Sequence, residues 1–423
     1  MAPTEQSTSS TYRGAHLDLL AKLAFFLKIP NNWNFAEKLV SRRFLTENST
    51  FPKILFIAHD DFRAGASIVL LQFLKWLKTN TNVPFEVLIK ITYGDLITDF
   101  RALAPVIAWR RTPDEEPKPT HVEATIAHLR RQNIRLIYSN TFTNGGVLAA
   151  LSELHCPVIS HVHELEFWIR NKTEPGNNEE VKKHTTHYIA VSDAVKQHLI
   201  ADQEIPSDRI SLVYEFVPTE HEAVQRALEE QEVRHELHLP DGALIVGGCG
   251  TIDWRKGADL FIPLAKLVQT QLGKSVHFVW VGGDTKSTEF ARIQHDIRHA
   301  GLVEYVRFIG VKPNPLDYFA IFDLLVLLSR EDPFPLVVLE AASMGKPTVC
   351  FDKSGGAKEF VADDCGYVVP YLDIQAMASK VVDLLRSVEL RHKLGRNALH
   401  KVRAQCDLRV AGPQLMRVIE KFV

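Results

Sequence analysis

Ser329-Arg330-Glu331-Asp332-Pro333-Phe334-Pro335-Leu336-Val337-Val338-Leu339-Glu340 is the stretch on which the reading of this chain turns. The apolar run Leu324 to Leu328 precedes it and is short enough for a buried strand. Leu336 to Met344 follows as a helix that stops near Gly345. Pro335 suits the first turn, where its missing N–H would have had no partner anyway. Phe334, Pro335, Leu336 and Val337 therefore form a helix start, whose free backbone N–H groups attract an anion. Glu340 lies about one and a half turns into the helix, on the order of 8 Å along its axis. A carboxylate there can accept from two neighbouring hydroxyls, as a ribose offers. Phosphate at the helix start and a diol one turn on fit a nucleotide, with Asp332 beside whatever the phosphate carries.

A carboxylate near a helix start is common, because it complements the dipole. Glu340 is different, since an unpaired charge in an apolar helix is costly. The segment Glu331 to Pro347 also resembles the signature of family 4 GT-B glycosyltransferases. Those are retaining enzymes in which a Glu-x7-Glu motif holds a nucleotide-sugar donor. Here Asp332 stands at the first acidic position, with Glu331 immediately before it, so the resemblance leaves open which acid faces the sugar.

Composition bounds the alternatives. A chain of 423 residues exceeds one ordinary core and predicts two large domains. A net charge of -2 gives no reason to expect nucleic acid. Five scattered cysteines show neither a disulfide framework nor zinc-ligand spacing, and fit a reducing cytoplasm. The first ten residues lack the basic flank of a secretory signal. Leu17 to Leu27 is apolar but interrupted by Asp18 and Lys22, too short to span a bilayer. It reads as a packed helix, with docking on a membrane surface as the minority reading. Phe35 to Phe44 reads as a second helix.

In the first half, Lys53 to Ala58 is a strand followed by a polar loop, with Gly65, Ala66 and Ser67 opening a helix. Small residues there let a ligand approach the backbone. The loop is not a P-loop or a Gly-x-Gly-x-x-Gly. The resemblance implies that Gly65 and Ala66 help to seat donor phosphate or acceptor. Phe85 to Lys90, Ile134 to Tyr138 and Val158 to Glu164, which ends in polar residues, are further strands, and Tyr188 to Asp193 is the last clear one. His163 and Glu164 fall at a strand's carboxyl end, where open α/β sheets bind ligands. An isolated histidine there is more often structural; the resemblance implies that His163 contacts the transferred sugar. His161 and Glu164 read as acceptor-side residues without a firm role.

Thr219 to Leu237 reads as a solvated helix between domains. Ala243 to Gly247 begins a new sheet, and its first loop runs Gly248 to Gly257. A basic pair, Arg255 and Lys256, precedes a helix there, as a departing diphosphate requires. In the resembling family a Lys-Gly step and an earlier Arg act on the diphosphate. Lys256-Gly257 matches, whereas Thr251 stands where the Arg is usual, leaving open whether Arg255 replaces it. Val306 to Val311 reads as a strand, and Gly355-Gly356 as a second small-residue loop before a helix.

Repeated strand-to-helix units with glycine-bearing strand ends imply an α/β protein of two Rossmann-like domains. The resemblance implies the GT-B arrangement, in which the two face each other across a cleft. The expected division is a helical extension at 1–50, an acceptor domain at 51–218, a linker at 219–237 and a donor domain at 238–407. Residues 408–423 would cross back onto the first domain. The implied activity is retaining transfer from a nucleotide sugar to a hydroxyl of a saccharide, glycan or lipid-linked glycan. His163 with Asp332 or Glu331 would serve catalysis. Gly65, Ala66, Arg255, Lys256, Phe334, Pro335, Leu336, Val337 and Glu340 would bind the donor. No metal and no cofactor are implied, and UDP, GDP, ADP and dTDP remain equal candidates for the nucleotide. The expected place is the cytoplasm, or the inner face of a membrane. The alternatives are an inactive relative acting as a partner subunit, or an epimerase or phosphorylase on the same fold.

Overall fold

The computed structural model describes residues 51–220, 223–362 and 364–423. The extension at 1–50, with its two expected helices and its membrane-docking reading, lies outside the described residues. Thr50–Thr79 and Val83–Val423 fall in one compact unit.

That unit holds two parallel sheets. The first contains β1 (Lys53–Asp60), β2 (Phe85–Ile91), β3 (Val106–Arg110), β4 (Ile134–Ser139), β5 (Val158–Val162), β6 (His187–Ala190) and β7 (Ile210–Leu212), in the spatial order β3-β2-β1-β4-β5-β6-β7. The second contains β8 (Leu244–Cys249), β9 (Val276–Val281), β10 (Val306–Phe308), β11 (Leu324–Leu327), β12 (Thr348–Phe351) and β13 (Gly366–Val369), ordered β10-β9-β8-β11-β12-β13. Continuous apolar strands such as Ile54 to Ala58 and Leu324 to Leu328 are almost wholly buried. Helices cover both faces of a parallel sheet, so such strands need no alternation.

Each sheet reverses its strand order once, between β1 and β4 and between β8 and β11. At such a reversal the flanking connections depart to opposite faces and leave a crevice at the carboxyl edge. The loops after β1, β4, β8 and β11 therefore border the two crevices. They begin at Asp61, Asn140, Gly250 and Leu328 respectively.

Five helices position the loops and side chains of the crevices: α1 (Gly65–Asn80), α2 (Glu166–Asn171), α3 (Asp193–Ala201), α4 (Leu336–Ser343) and α5 (Leu408–Ile419). The terminal helix expected from Gln414 begins earlier, at Leu408, with Asp407 accepting from the Arg409 N–H. Pro413 lies in the middle of it, where its missing N–H leaves the Arg409 carbonyl without its i+4 donor. Gly412 of α5 faces the Trp76 ring of α1, and Phe422 lies 5.1 Å from the His187 ring. A bridge between Val217 and Asp407, with the Thr219 hydroxyl donating to Asp407, ties the same region down. The helix expected over 219–237 spans Ala223–Glu236, and its Glu236 accepts from Lys312 and Tyr318 of the second half.

Three strands lie outside the expectations from sequence. β3 and β7 lie at the edges of the first sheet and β13 at an edge of the second. The short β7 follows the strand expected from Tyr188, which ends at Ala190. Edge strands are short and carry weak patterns, here Ile-Ser-Leu in β7. The strand expected to reach Val311 stops at Phe308, because Gly310 takes a φ of 72°.

Candidate functional site

The acidic loop after β11 and the Lys256 loop after β8 meet. Lys256 Nζ donates to Asp332 Oδ2 at 2.6 Å, and the Ser329 hydroxyl donates to the same oxygen at 3.0 Å. Asp332 N–H donates to the Ser354 carbonyl at 2.7 Å, joining the loop to the Gly355-Gly356 turn. Two glycines make these approaches possible. Gly257 has a φ of 70° and a Cβ there would overlap the Leu328 carbonyl; Gly355 has a φ of 125° and a Cβ would overlap that of Asp332.

Glu331 and Asp332 have separate partners. The Phe167 N–H of α2 donates to Glu331 Oε2 at 2.8 Å, so Glu331 reaches across to the first half. Burial raises its pKa although the backbone donors of Phe167 and Trp168 oppose the shift. Asp332 is the buried acid beside Lys256. Arg255 also turns toward the first half: its Nη1 donates to the Glu331 carbonyl at 3.0 Å and its guanidinium lies 5.8 Å from the Trp168 ring. The Thr251 hydroxyl donates to Asp253, which also accepts the Lys256 N–H and so shapes the Lys256 loop.

Pro335 caps α4 without a side-chain hydrogen bond, leaving the helix start to backbone N–H groups. Leu336 Cδ1 would lie 3.8 Å from a Cβ at Gly65, so the starts of α1 and α4 are neighbours. Phe334 is buried and stacks on Tyr214 at 5.1 Å. Beyond Leu336 opens a cavity of about 680 Å³, lined by Ile68 and Gln72 of α1, Phe216, Pro218, Asn314 and Glu340 among others. Both halves thus contribute to its wall. Burial pushes the Glu340 carboxyl up to about 7, with no charged partner contributing.

On the opposite side, His163 Nδ1 lies 2.6 Å from Glu215 Oε1 and Nε2 lies 3.2 Å from Asn140 Oδ1. The Asn140 amide Nδ2 donates to the Ala66 carbonyl, which presents its oxygen to the histidine. Both ring nitrogens therefore face acceptors, which a doubly protonated ring satisfies. Burial alone would lower the His163 pKa, but Glu215 and then Glu164 outweigh it and raise the value above ordinary. His161, its ring 4.2 Å away, bonds the Tyr138 hydroxyl at 2.7 Å. Burial and the neighbouring His163 hold His161 well below the usual range. Glu164 accepts from the Thr141 hydroxyl and from the Phe142 and His163 N–H groups. It is a strut for the loop after β4, with its carboxylate occupied.

Further polar contacts join the halves. Glu359 accepts the Asp193 and Ala194 N–H groups of α3 at 2.8 and 2.9 Å. The Ser192 hydroxyl donates to the Pro333 carbonyl at 2.7 Å. Glu331 and Glu359 thus cap two helices of the first half with carboxylates of the second. Asn140, Glu215 and Glu359 do not stand out as site residues in the sequence. For Glu215 a signal is present: an acid inside the apolar run Val213 to Val217, as with Glu340. Among the described residues, no three His, Cys, Asp or Glu side chains converge as metal ligands.

Residues 229–401 match the family model described as glycosyl transferases group 1, and residues 86–221 match that of glycosyltransferase family 4. Alpha-D-kanosaminyltransferase of Streptomyces kanamyceticus is 25% identical over 236 residues, 55% of this chain and 60% of that protein. Alpha-galactosylglucosyldiacylglycerol synthase of Streptococcus pneumoniae is 29% identical over 173 residues, 39% of this chain and 44% of that protein. The chain thus aligns with less than two thirds of the length of either. Among solved structures, Anabaena HepE with UDP and glucose superposes with a TM-score of 0.74 at 20% identity, covering 87% of this chain and 99% of that one. Sucrose-phosphate synthase from Thermosynechococcus elongatus gives 0.73 at 20% identity, covering 88% and 98%.

Proposed function

Because the chain belongs to family 4 of the GT-B glycosyltransferases, we propose that it transfers a sugar from a nucleotide-sugar donor to an acceptor hydroxyl with retention of anomeric configuration. The observation that carries this reading is Glu340: a carboxylate without a charged partner, on the wall of a cavity that begins at a helix start. Glu340 accepts the two ribose hydroxyls. The Leu336 and Val337 N–H groups and the Lys256 ammonium hold the diphosphate, offsetting the charge that grows on it as the glycosidic bond breaks. Asp332, held by Lys256 and Ser329, orients the sugar.

His163 acts through its charge, since neither ring nitrogen is free to accept a proton. The departing diphosphate serves as the general base, as the family resemblance implies. The acceptor oxygen bonds the anomeric carbon on the face from which the diphosphate leaves, and the acceptor's proton passes to the diphosphate oxygen. No metal and no cofactor enter this scheme. The acceptor is a saccharide, glycan or lipid-linked glycan. No described helix is long and apolar enough to cross a membrane.

The test is a thermal-shift panel of UDP-, GDP-, ADP- and dTDP-sugars, because a bound donor stabilises the fold by mass action. One nucleotide class is expected to raise Tm in the wild type and to do so far less in Glu340→Gln. Anomeric NMR of the product then reads the stereochemistry. A second reading, an inactive partner subunit, is favoured by Asp332 and Thr251 standing where Glu and Arg are usual. Release of nucleoside diphosphate no faster than background, with every donor that binds, would establish that reading instead.

A further inference from the structure

The carboxyl edge of the first sheet holds a second polar cluster. Register sets Asp60, Ile91 and Arg110 in a row across β1, β2 and β3, with Lys90 one residue back from that edge. Lys90 and Arg110 are both nine-tenths buried. Lys90 Nζ donates to the Thr143 carbonyl at 2.9 Å and lies 3.2 Å from Glu174 Oε1. Arg110 Nη2 donates to that same oxygen at 2.6 Å. Two buried cations therefore converge on one oxygen of one carboxylate, whose own side chain is half exposed. Arg110 Nε is buried without an acceptor. Glu116, on an exposed loop, adds a longer-range attraction for Lys90.

A desolvated guanidinium with an unused donor is expensive unless something else completes it. Arg110 presents a fork suited to a phosphate or carboxylate, and Lys90 supplies a second positive charge. The cluster is also linked by hydrogen bonds to the loop beside His163. Lys90 holds Thr143, whose N–H donates to the Thr141 hydroxyl, which in turn donates to Glu164 beside His163. We infer that Lys90 and Arg110 form a subsite for an anionic group, phosphate or carboxylate, on the acceptor, and that Glu174 occupies it when no acceptor is bound. This rests on the glycosyltransferase reading for the word acceptor; the anion site itself does not. Glu174 lies on the segment between α2 and the helix Asn177–His184, so its release leaves the sheet intact.

The test titrates the full chain with glucose 6-phosphate, glucuronate and glucose, in excess of whichever nucleoside diphosphate of UDP, GDP, ADP and dTDP raises Tm most, so that the donor's phosphate seat is filled. The nucleotide's own effect is recorded first, and failure of all four bears on the donor reading alone. A Tm shift with glucose 6-phosphate only assigns a phosphate, and with glucuronate only a carboxylate; either, or both, supports the site provided glucose gives none. Glu174→Gln, which removes the competing charge, is expected to tighten the anion by about tenfold. Lys90→Met is expected to abolish it; should that variant not fold, the Glu174→Gln comparison decides. Equal shifts with glucose and glucose 6-phosphate, or Glu174→Gln that loses stability without gaining affinity, overturn the proposal.

Discussion

Lys256 Nζ and Asp332 Oδ2 lie 2.6 Å apart, a cation from the loop after β8 paired with an acid from the loop after β11. The pair bridges the two loops at the strand-order reversal of the second sheet, alongside the contact of Arg255 with the Glu331 carbonyl. Asp332 is buried, and removing its cation leaves an unmatched charge. Lys256→Met is expected to lower kcat/KM for nucleoside diphosphate release by about a hundred- to a thousandfold. A loss below about threefold would mean that the lysine serves the loop and not the reaction.

Glu340 makes a prediction about pH. Its carboxyl sits at about 7 in the folded chain against 4.5 for the ordinary side chain. Between those values the unfolded chain has lost the proton and the folded chain keeps it, so stability falls as pH rises through this window. The contribution is on the order of 3 kcal/mol by linkage, less where water reaches the carboxylate. Glu340→Gln should therefore flatten the decline of Tm between pH 5 and 8. In the wild type, nucleotide affinity should rise across pH 7, since only the ionised form accepts from both ribose hydroxyls. An identical Tm–pH profile in the two proteins would contradict the assignment.

His163 works in the opposite sense. Its pKa is raised in the fold by Glu215, so the stabilisation from this pair is complete below the unfolded value near 6.5 and disappears as pH rises through the folded value. In Glu215→Gln the histidine loses its charged partner, and its NMR titration should move to lower pH. Turnover should fall with it if the ring acts by charge. An unchanged titration would place Glu215 outside the interaction.

Glu359 tests the union of the halves. It is a donor-side residue whose carboxylate caps α3 in the other half. Glu359→Gln should weaken that cap by about 1 kcal/mol. The expected result is a larger radius of gyration in small-angle scattering and a donor affinity lower by roughly fivefold. A compact variant with unaltered affinity would show that the cap contributes nothing to closure.

Much of the architecture is readable because parallel strands buried on both faces appear as unbroken apolar runs. Lys53 to Ala58, Leu324 to Leu328 and Pro347 to Phe351 all mark sheet strands. Of the edge strands, β7 carries no such run, whereas Val106 to Trp109 in β3 and Tyr367 to Val369 in β13 are apolar but short. At the site, local sequence discloses which residues are chemically unusual but not their partners. Glu331 and Asp332 are adjacent, yet one caps a helix across the cleft and the other holds Lys256. Arg255 reads as a phosphate ligand beside Lys256, yet it faces Trp168, because an extended loop sends neighbouring side chains in different directions. The partners Glu215 and Asn140 lie far from His163 in sequence, and only the sheet brings them together.

The return of α5 onto the first half also has a bearing on biosynthesis. Trp76 and Val217 wait for contacts from Gly412 and Asp407, which leave the ribosome long after β1 to β7 have emerged. Until then the early half lacks the cover that α5 gives to the Trp76 ring. A release assay on stalled nascent chains should show protease resistance in residues 51–220 appearing only once residues 408–419 have cleared the tunnel.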